Sequence, residues 1–228
     1  MKIIAHRSGP TLYPEQTIHS AREALRLGAD MVEIDVRMTR DARIAISHDQ
    51  NLSRVFGADL FVNDITAEQF LAQRHQEDRS FSSHLLEDYF RCGIFPLLIH
   101  VKETAAIAPM LALIDQYGCA EKVTLGVAEI DSVHVIRAHD PRIGILSFAK
   151  HVEDTEGFIA AGVDYVRLWE GWLTQERVQL VKESPAQLWV MSGHTDGYPV
   201  GEPGEEGLQK ILSFQPDGVL INDVRRLK

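Results

Sequence analysis

Short runs of apolar residues recur along the chain, and most are followed by a segment with apolar residues at helical spacing. The runs lie at residues 3–5, 31–36, 97–101, 123–127, 143–148, 165–168, 188–191 and 219–221. Helical spacing covers residues 17–27, 105–117, 131–138, 154–161, 175–182 and 205–213. Strands that alternate with helices pair in parallel through crossover connections. The pattern therefore predicts an α/β fold with eight parallel strands.

The chain length supports closure of these strands into a (β/α)8 TIM barrel. A barrel of this kind uses roughly 200–250 residues as one domain, and the chain has 228. An open doubly wound sheet is the alternative. However, the first strand is not followed by the Gly-x-Gly-x-x-Gly sequence of dinucleotide-binding folds. We therefore expect a single barrel domain over residues 1–228.

One βα unit is longer than the others. An additional strand is expected at residues 43–47, and the next barrel strand begins only at residue 97. Irregular segments of this length inside a compact domain are usually functional loops or small inserted modules. We interpret residues 50–93 as an insertion that covers the C-terminal ends of the barrel strands.

Composition and charge narrow the class of protein. The chain has 33 acidic and 23 basic residues, a net charge of −10, which argues against a nucleic-acid partner because such proteins carry a basic surface. No apolar stretch approaches the ~18 residues of a membrane-spanning helix, and no signal-peptide pattern opens the sequence. Cys92 and Cys119 form no Cys-x-x-Cys motif, so they are interpreted as reduced thiols. We expect a cytoplasmic protein.

Polar residues interrupt two of the predicted strands. Because side chains alternate across a strand, Glu33 and Asp35 share one face, and so do His100 and Lys102 on the following barrel strand. Two carboxylates that point into a barrel are costly unless they are paired or bind a metal. Both a salt-bridged pair and a metal site therefore remain open, and a lysine beside a metal site would neutralise a phosphate oxygen.

Two histidines directly follow predicted strands. His6 and Arg7 follow the first apolar run, and His48 follows the additional strand. The C-terminal ends of barrel strands form the active-site rim of a TIM barrel. Imidazole titrates near neutral pH, so two histidines there can divide the roles of acid and base. Their joint placement with cations and carboxylates favours an enzyme.

These residues resemble the motifs of the glycerophosphodiester phosphodiesterase family. His-Arg-Ser-Gly at residues 6–9 and Pro-Glu-Gln-Thr at 14–17 are similar to the family's His-Arg-Gly and Pro-Glu-Asn-Thr. Further similarity covers the metal-binding strand, the His-Asp segment, the Ile-Glu-Ile-Lys segment and the closing strand, at residues 28–36, 48–54, 99–102 and 217–223. The resemblance spans nearly the whole chain.

The resemblance implies a TIM barrel that hydrolyses glycerophosphodiesters to glycerol 3-phosphate and an alcohol. It also implies one divalent metal ion, Mg or Ca. The roles it implies are acid–base catalysis by His6 and His48, phosphate binding by Arg7 and Lys102, metal binding by Glu33 and Asp35, and support from Glu15. Trp189 either lines the floor of the pocket, as a similarly placed Trp does in the family, or packs in the core.

The main departure from the family is His100, which stands where a third metal carboxylate is expected. In one interpretation His100 is a ligand and the site prefers Mn, Fe or Zn, since nitrogen suits those ions better than Mg or Ca. In a second, His100 does not bind and the site is weak or inactive. In a third, Glu103 supplies the carboxylate, although strand parity places it on the opposite face. Two smaller departures are Ser8 and Gln16.

Two other functions remain open. The barrel is either a weakly active protein that binds a phosphorylated small molecule, or a phosphodiesterase that acts on another diester such as a lysophospholipid. Trp169 and Trp172, after the sixth barrel strand, are candidates for contact with the alcohol group of a ligand. His194 is interpreted as a surface-loop residue, and the oligomeric state is left open.

Overall fold

The computed structural model describes residues 1–193 and 197–228, so His194 lies outside the described residues. Its strands are β1 (Lys2–Ala5), β2 (Met31–Met38), β3 (Ile44–Ile46), β4 (Leu97–Val101), β5 (Val123–Val127), β6 (Gly144–Ser147), β7 (Tyr165–Trp169), β8 (Gln187–Met191) and β9 (Gly218–Ile221). All except β3 pair in parallel, and β1 pairs with both β2 and β9, which closes the ring. The predicted TIM barrel is therefore confirmed, and the open sheet is wrong.

Helices connect the strands, and most of them cover the outside of the ring. They are α1 (Ile18–Arg26), α2 (Ser53–Phe56), α3 (Ala67–Leu71), α4 (Leu86–Arg91), α5 (Ile107–Tyr117), α6 (Ile130–His139), α7 (Thr155–Ala160), α8 (Gln175–Lys182) and α9 (Glu205–Ser213). Threonine caps begin α1, α3 and α8, since each Thr side chain accepts a backbone N–H of the first turn. Across the described residues, no helix combines the length and apolarity needed to cross a membrane.

The strands separate two apolar layers. Val32, Ile34 and Val36 of β2 pack outward against the helices. The inner layer fills the barrel and consists of Ile4, Met31, Leu98, Leu146, Phe148, Trp189, Met191 and Leu220. Because side chains alternate along β2, Glu33 and Asp35 point into the barrel on the same face as Met31. Elsewhere in the barrel, apolar side chains occupy much of this inner face.

The long connection after β2 has two parts. The additional strand β3 pairs antiparallel with β2. The segment that follows packs against Ala45 of β3 in a small cluster of its own, made of Leu52, Phe56, Val62, Ile65, Ala67, Phe70 and Leu85. Helix α4 differs, because Leu86, Tyr89 and Phe90 belong to the layer between barrel and helices. The separately packed segment is thus shorter than the predicted range of 50–93, since α4 serves as the barrel helix before β4.

Candidate active site at the C-terminal ends of the strands

The two inward carboxylates of β2 are held by the loop that follows β1. Glu33 and Asp35 are each 1% exposed. The backbone N–H of Arg7 donates to Glu33 Oε2 at 2.7 Å, where Arg7 itself adopts a left-handed conformation with φ of 47°. Gln16 Nε2 donates to Asp35 Oδ2 at 3.0 Å, and the Asp35 N–H donates to Gln16 Oε1 at 3.0 Å. The amide of Gln16 therefore fixes Asp35, although it differs from the Asn of the family motif.

The imidazole of His100 lies beside Asp35, as the register between β2 and β4 requires. Lys102 Nζ bridges the two residues, at 2.8 Å from Asp35 Oδ1 and 3.0 Å from His100 Nδ1. The Phe148 ring stacks on the His100 ring with centroids 3.7 Å apart. Gly126 makes room for this stack, because a Cβ there would lie 2.3 Å from Phe148 Cε2. The stacked Phe148 ring thus holds the His100 imidazole beside the carboxylates.

Burial and neighbouring charges set the protonation of this cluster. Burial, strengthened by the charge of Asp35, raises the pKa of Glu33 to about 8. Burial opposes ionisation of Asp35, but the charge of Lys102 and the contact with His100 hold its pKa well below its usual range. Burial and Lys102 lower the pKa of His100 to about 3, so its imidazole is neutral, as a metal ligand requires.

The cluster of Glu33, Asp35 and His100 fits a divalent cation. One donor atom from each residue lies within 4.8 Å of the others. Two buried carboxylates and a neutral imidazole are a donor set that metal sites use, and a cation would offset the charge that the barrel buries there. Glu103 lies outside this cluster and pairs with Arg37 Nη1 at 2.9 Å. The third interpretation, in which Glu103 replaces the lost carboxylate, therefore finds no support in the geometry.

His6 directly follows β1, and its ring is fixed by Asn222, which directly follows β9. Its Nδ1 lies 2.7 Å from Asn222 Oδ1, while Asn222 Nδ2 donates to Glu202 Oε1 at 3.1 Å. The amide oxygen thus accepts the Nδ1 proton, which leaves Nε2 as the acceptor nitrogen of a neutral imidazole. Burial and the charge of Arg7 lower the pKa of His6 to about 4. Gly201 allows this contact, because a Cβ there would lie 2.1 Å from Asn222 Oδ1.

His48 is held by a chain of charged residues. Its Nδ1 lies 2.7 Å from Asp49 Oδ1, and Arg54 Nε donates to the other oxygen of Asp49 at 2.5 Å. Arg54 also donates two hydrogen bonds, of 2.9 and 2.7 Å, to the carboxylate of Glu15. Burial lowers the pKa of His48. In Glu15 and Asp49 burial opposes ionisation, but hydrogen bonds from Arg54 and, for Asp49, from His48 outweigh it and lower both pKa values.

Two adjoining cavities open at this rim, and Arg7 and His48 line both. One has a volume of about 510 Å³ and contains the carboxylate cluster. The other has a volume of about 530 Å³, and Arg54 and His75 of the insertion contribute to its lining. The structure gathers here the predicted acid–base, phosphate-binding and metal-binding residues together with Glu15, namely His6, Arg7, Glu15, Glu33, Asp35, His48, His100 and Lys102.

Trp189 is placed differently. It is fully buried in the inner apolar layer, where its ring packs 4.3 Å from Tyr165, and its Nε1 has no hydrogen-bond partner among the described residues. It therefore lies in the apolar layer inside the barrel rather than at the rim with the other predicted residues.

Three polar residues of the site were not predicted as such. In the sequence, Asn222 lies within the closing-strand motif at 217–223 and Arg54 within the His-Asp segment at 48–54, and neither residue is assigned a role of its own. No role is predicted for Arg167, although the alternation of Tyr165, Arg167 and Trp169 along β7 places all three on the inner face. The period of the strand was thus a usable signal for Arg167, whereas the partners of Asn222 and Arg54 depend on the folded loops.

A rim with two imidazoles, several cations and a carboxylate cluster is suited to a hydrolase of phosphate esters. The sequence model of the glycerophosphoryl diester phosphodiesterase family matches residues 6–151. A glycerophosphodiester phosphodiesterase of Caldanaerobacter subterraneus subsp. tengcongensis is 39% identical over 240 residues, covering 99% of this chain and 95% of that protein. The chain therefore belongs to the glycerophosphoryl diester phosphodiesterase family, and the prediction of an enzyme of this family is confirmed.

Two further comparisons extend this result. A lysophospholipase D of Mus musculus is 28% identical over 146 residues, covering 58% of this chain and 44% of that protein. The solved structure of an Oleispira antarctica phosphodiesterase in complex with the product sn-glycerol-3-phosphate superposes with a TM-score of 0.83 at 18% identity, covering 100% of this chain and 95% of the other. At that identity the similarity establishes the shared fold.

Proposed function

We propose that the protein hydrolyses glycerophosphodiesters to glycerol 3-phosphate and an alcohol, with His6 and His48 as acid–base residues and one divalent metal ion. The main support for this proposal is that one cavity is lined both by the two imidazoles and by the Glu33–Asp35–His100 cluster. The structural relative in complex with sn-glycerol-3-phosphate supports the choice of product.

The metal would be held by Glu33, Asp35 and His100. When bound, it supplies positive charge that polarises a phosphoryl oxygen and lowers the pKa of a nearby hydroxyl. Mg or Ca is the ion that the family resemblance implies, and the imidazole of His100 favours Mn, Fe or Zn. Lys102 Nζ contacts both Asp35 and His100, so its ammonium lies beside the residues that would hold the ion.

The partners of the two histidines suggest how they divide the chemistry. Asn222 keeps the Nε2 of His6 unprotonated, so His6 accepts the proton of the substrate's 2-hydroxyl as that oxygen attacks phosphorus. The hydrogen bond with Asp49 opposes the lowering of the His48 pKa by burial, so we assign to His48 the proton that passes to the oxygen of the leaving alcohol as the P–O bond breaks. Water then opens the cyclic phosphate with the two roles reversed, which restores both imidazoles and yields glycerol 3-phosphate.

Charge on the phosphoryl oxygens would be balanced by Arg7 and Lys102. Arg7 Nε is buried without a hydrogen-bond partner among the described residues, and Asp35 Oδ2 is 4.0 Å away from it. A phosphate oxygen would satisfy this donor. Charge-assisted hydrogen bonds of this kind are among the stronger ones in proteins, and they strengthen as negative charge builds on the transferred group.

Release of glycerol 3-phosphate from glycerophosphoethanolamine, measured across Mg, Ca, Mn and Zn, tests the proposal. His6→Ala and His48→Ala should each lower the rate by about 100- to 10,000-fold. His139→Ala is the matched control, because His139 also pairs with an aspartate, Asp115 at 3.0 Å, but on the surface. Folded protein that releases no product with any metal would reject the proposal in favour of a binding protein.

Elemental analysis of the purified protein tests the ligand set separately. We expect one divalent ion per chain, with the content reduced in Asp35→Asn and in His100→Ala. Unchanged Mg or Ca content in His100→Ala would show that the imidazole does not bind. Lysophosphatidylcholine belongs in the same substrate panel, since the mouse relative is named a lysophospholipase D, and faster turnover of that substrate would favour the second candidate function.

A further inference from the structure

A buried arginine lies across the barrel from the carboxylate cluster. The strands run around the ring in the order β1, β2, β4, β5, β6, β7, β8, β9, so β7 stands opposite β2. Arg167 is the central residue of β7 and lines the same cavity as Glu33 and Asp35. The proposed function places the reacting phosphate on the side of this cavity formed by β1, β2 and β4. Arg167 therefore lies on the opposite wall.

Arg167 carries a charge that the protein leaves largely uncompensated. Its side chain belongs to a residue that is 3% exposed, and no acidic residue of the described chain forms an ion pair with it. Nη2 donates to the Ala149 carbonyl at 3.1 Å, whereas Nε and Nη1 are buried without a hydrogen-bond partner in the described part of the chain. A buried charge is costly without a counter-charge, so this arginine calls for an anionic partner.

Three aromatic rings surround the guanidinium. Its Cζ lies 5.1 Å from the ring centre of Phe148, 4.3 Å from that of Trp169 and 5.4 Å from that of Trp172. Boxes of aromatic rings bind quaternary ammonium groups when their centre is open. Here a cation of the protein itself occupies the box, so a second cation such as choline is repelled and a negatively charged group is attracted.

We propose that Arg167 forms an anion subsite that receives a carboxylate or phosphate carried by the leaving alcohol. This inference rests on the proposed hydrolysis of glycerophosphodiesters and narrows its substrate class to diesters whose alcohol is negatively charged. The phosphodiester lies at the carboxylate cluster, and the alcohol extends across the cavity toward β7. The substrates that fit best carry two separated anionic groups, and glycerophosphocholine fits worst.

Two matched substrate pairs test the subsite. Glycerophosphoserine and glycerophosphoethanolamine differ only by a carboxylate. Glycerophosphoinositol 4-phosphate and glycerophosphoinositol differ only by a phosphate, so the two pairs also distinguish the two sources of charge. We expect kcat/KM to be roughly tenfold or more higher for the anionic member of at least one pair, with glycerophosphocholine the slowest substrate.

Variants assign this preference to Arg167. Arg167→Met removes the charge at similar volume and should abolish the preference, so that the two members of each substrate pair have equal kcat/KM. Arg167→Lys keeps the charge and should retain part of the preference. Arg142→Met is the control, because Arg142 pairs with Asp140 at 2.7 Å just before β6 begins, at the opposite end of the barrel. It also removes one positive charge, and its substrate ratios should equal those of the wild type.

Binding provides a second readout that does not need turnover. Calorimetric titration of His48→Ala with glycerophosphoserine and with glycerophosphoethanolamine should show the same ratio, and Arg167→Met in that background should remove it. Equal values within both pairs, or a preference that survives Arg167→Met, would overturn the subsite and leave Arg167 a structural cation. A uniform loss on every substrate would place Arg167 at the reacting phosphate instead. If no diester is hydrolysed but the binding ratio persists, the proposed function fails and the subsite stands.

Discussion

Replacement of Arg54 by methionine is expected to disorient His48 while the barrel stays folded. Arg54 comes from the insertion and reaches two residues of the rim. It donates two hydrogen bonds to Glu15 and one to Asp49, and the other oxygen of Asp49 contacts His48 Nδ1. The variant leaves Asp49 free to rotate, and His48 then loses the contact that fixes its ring.

The expected magnitudes follow from these contacts. A hydrogen bond to a charged group contributes about 1.5–3 kcal/mol when buried, but the Arg54 side chain is 48% exposed. Solvent screening therefore limits the net loss of unfolding free energy to about 1–2 kcal/mol for all three bonds together. The loss of a partner that orients a functional histidine typically costs 10- to 100-fold, so kcat/KM should fall by about that factor, or about 1.4–2.8 kcal/mol.

The assay is kcat/KM for glycerophosphoethanolamine, combined with urea unfolding of each variant. Arg54→Lys should be intermediate, because it keeps the charge but loses the fork that matches Glu15. Arg26→Met is the matched control, since Arg26 also makes two hydrogen bonds to one carboxylate, Glu23, but on the surface of α1. It should leave kcat/KM unchanged.

The pH profile distinguishes a lost positioning contact from general destabilisation. The hydrogen bond with Asp49 raises the pKa of His48 against the effect of burial, so the pKa that His48 contributes to the profile should fall once Arg54→Met releases Asp49. A folded Arg54→Met protein with wild-type kcat/KM and an unshifted profile would refute the reasoning that His48 depends on this chain of contacts.

Three further predictions concern stability. Hydrogen bonds from Arg54 lower the pKa of Glu15 against the effect of burial. The difference in unfolding free energy between wild type and Arg54→Met, measured by urea unfolding, should therefore be largest above about pH 4.5. It should shrink as the pH falls through the lowered pKa of Glu15. Gly126→Ala should cost about 1–3 kcal/mol by overlap with Phe148, and thermal unfolding of a double variant with Phe148→Leu should show partial recovery. Leu98→Ala should cost about 2–5 kcal/mol in urea unfolding, and a much smaller loss would contradict its place in the barrel interior.

The strands and the direction of their side chains were predictable because they depend on a local period. Successive residues of a strand point to opposite faces whatever the strand pairs with. Glu33 and Asp35 could therefore be placed together on one face of their strand, and His100 and Lys102 together on one face of the following barrel strand, from spacing alone. The family motifs added roles to these positions, since the spacing by itself does not distinguish a metal site from a salt-bridged cluster.

Contacts between distant segments depended on the tertiary structure. His6 and Asn222 are 216 positions apart, and they meet only because β9 pairs with β1 and closes the ring. Arg54 reaches Glu15 because the insertion folds back over the rim. The aromatic surroundings of Arg167 combine Phe148, which directly follows β6, with Trp169 of β7 and Trp172 of the turn after it. The sequence by itself determined which side chains face the barrel interior. Only the closed barrel decided which of them share a cavity, because strand period is a local property whereas proximity across a ring depends on how all eight strands register.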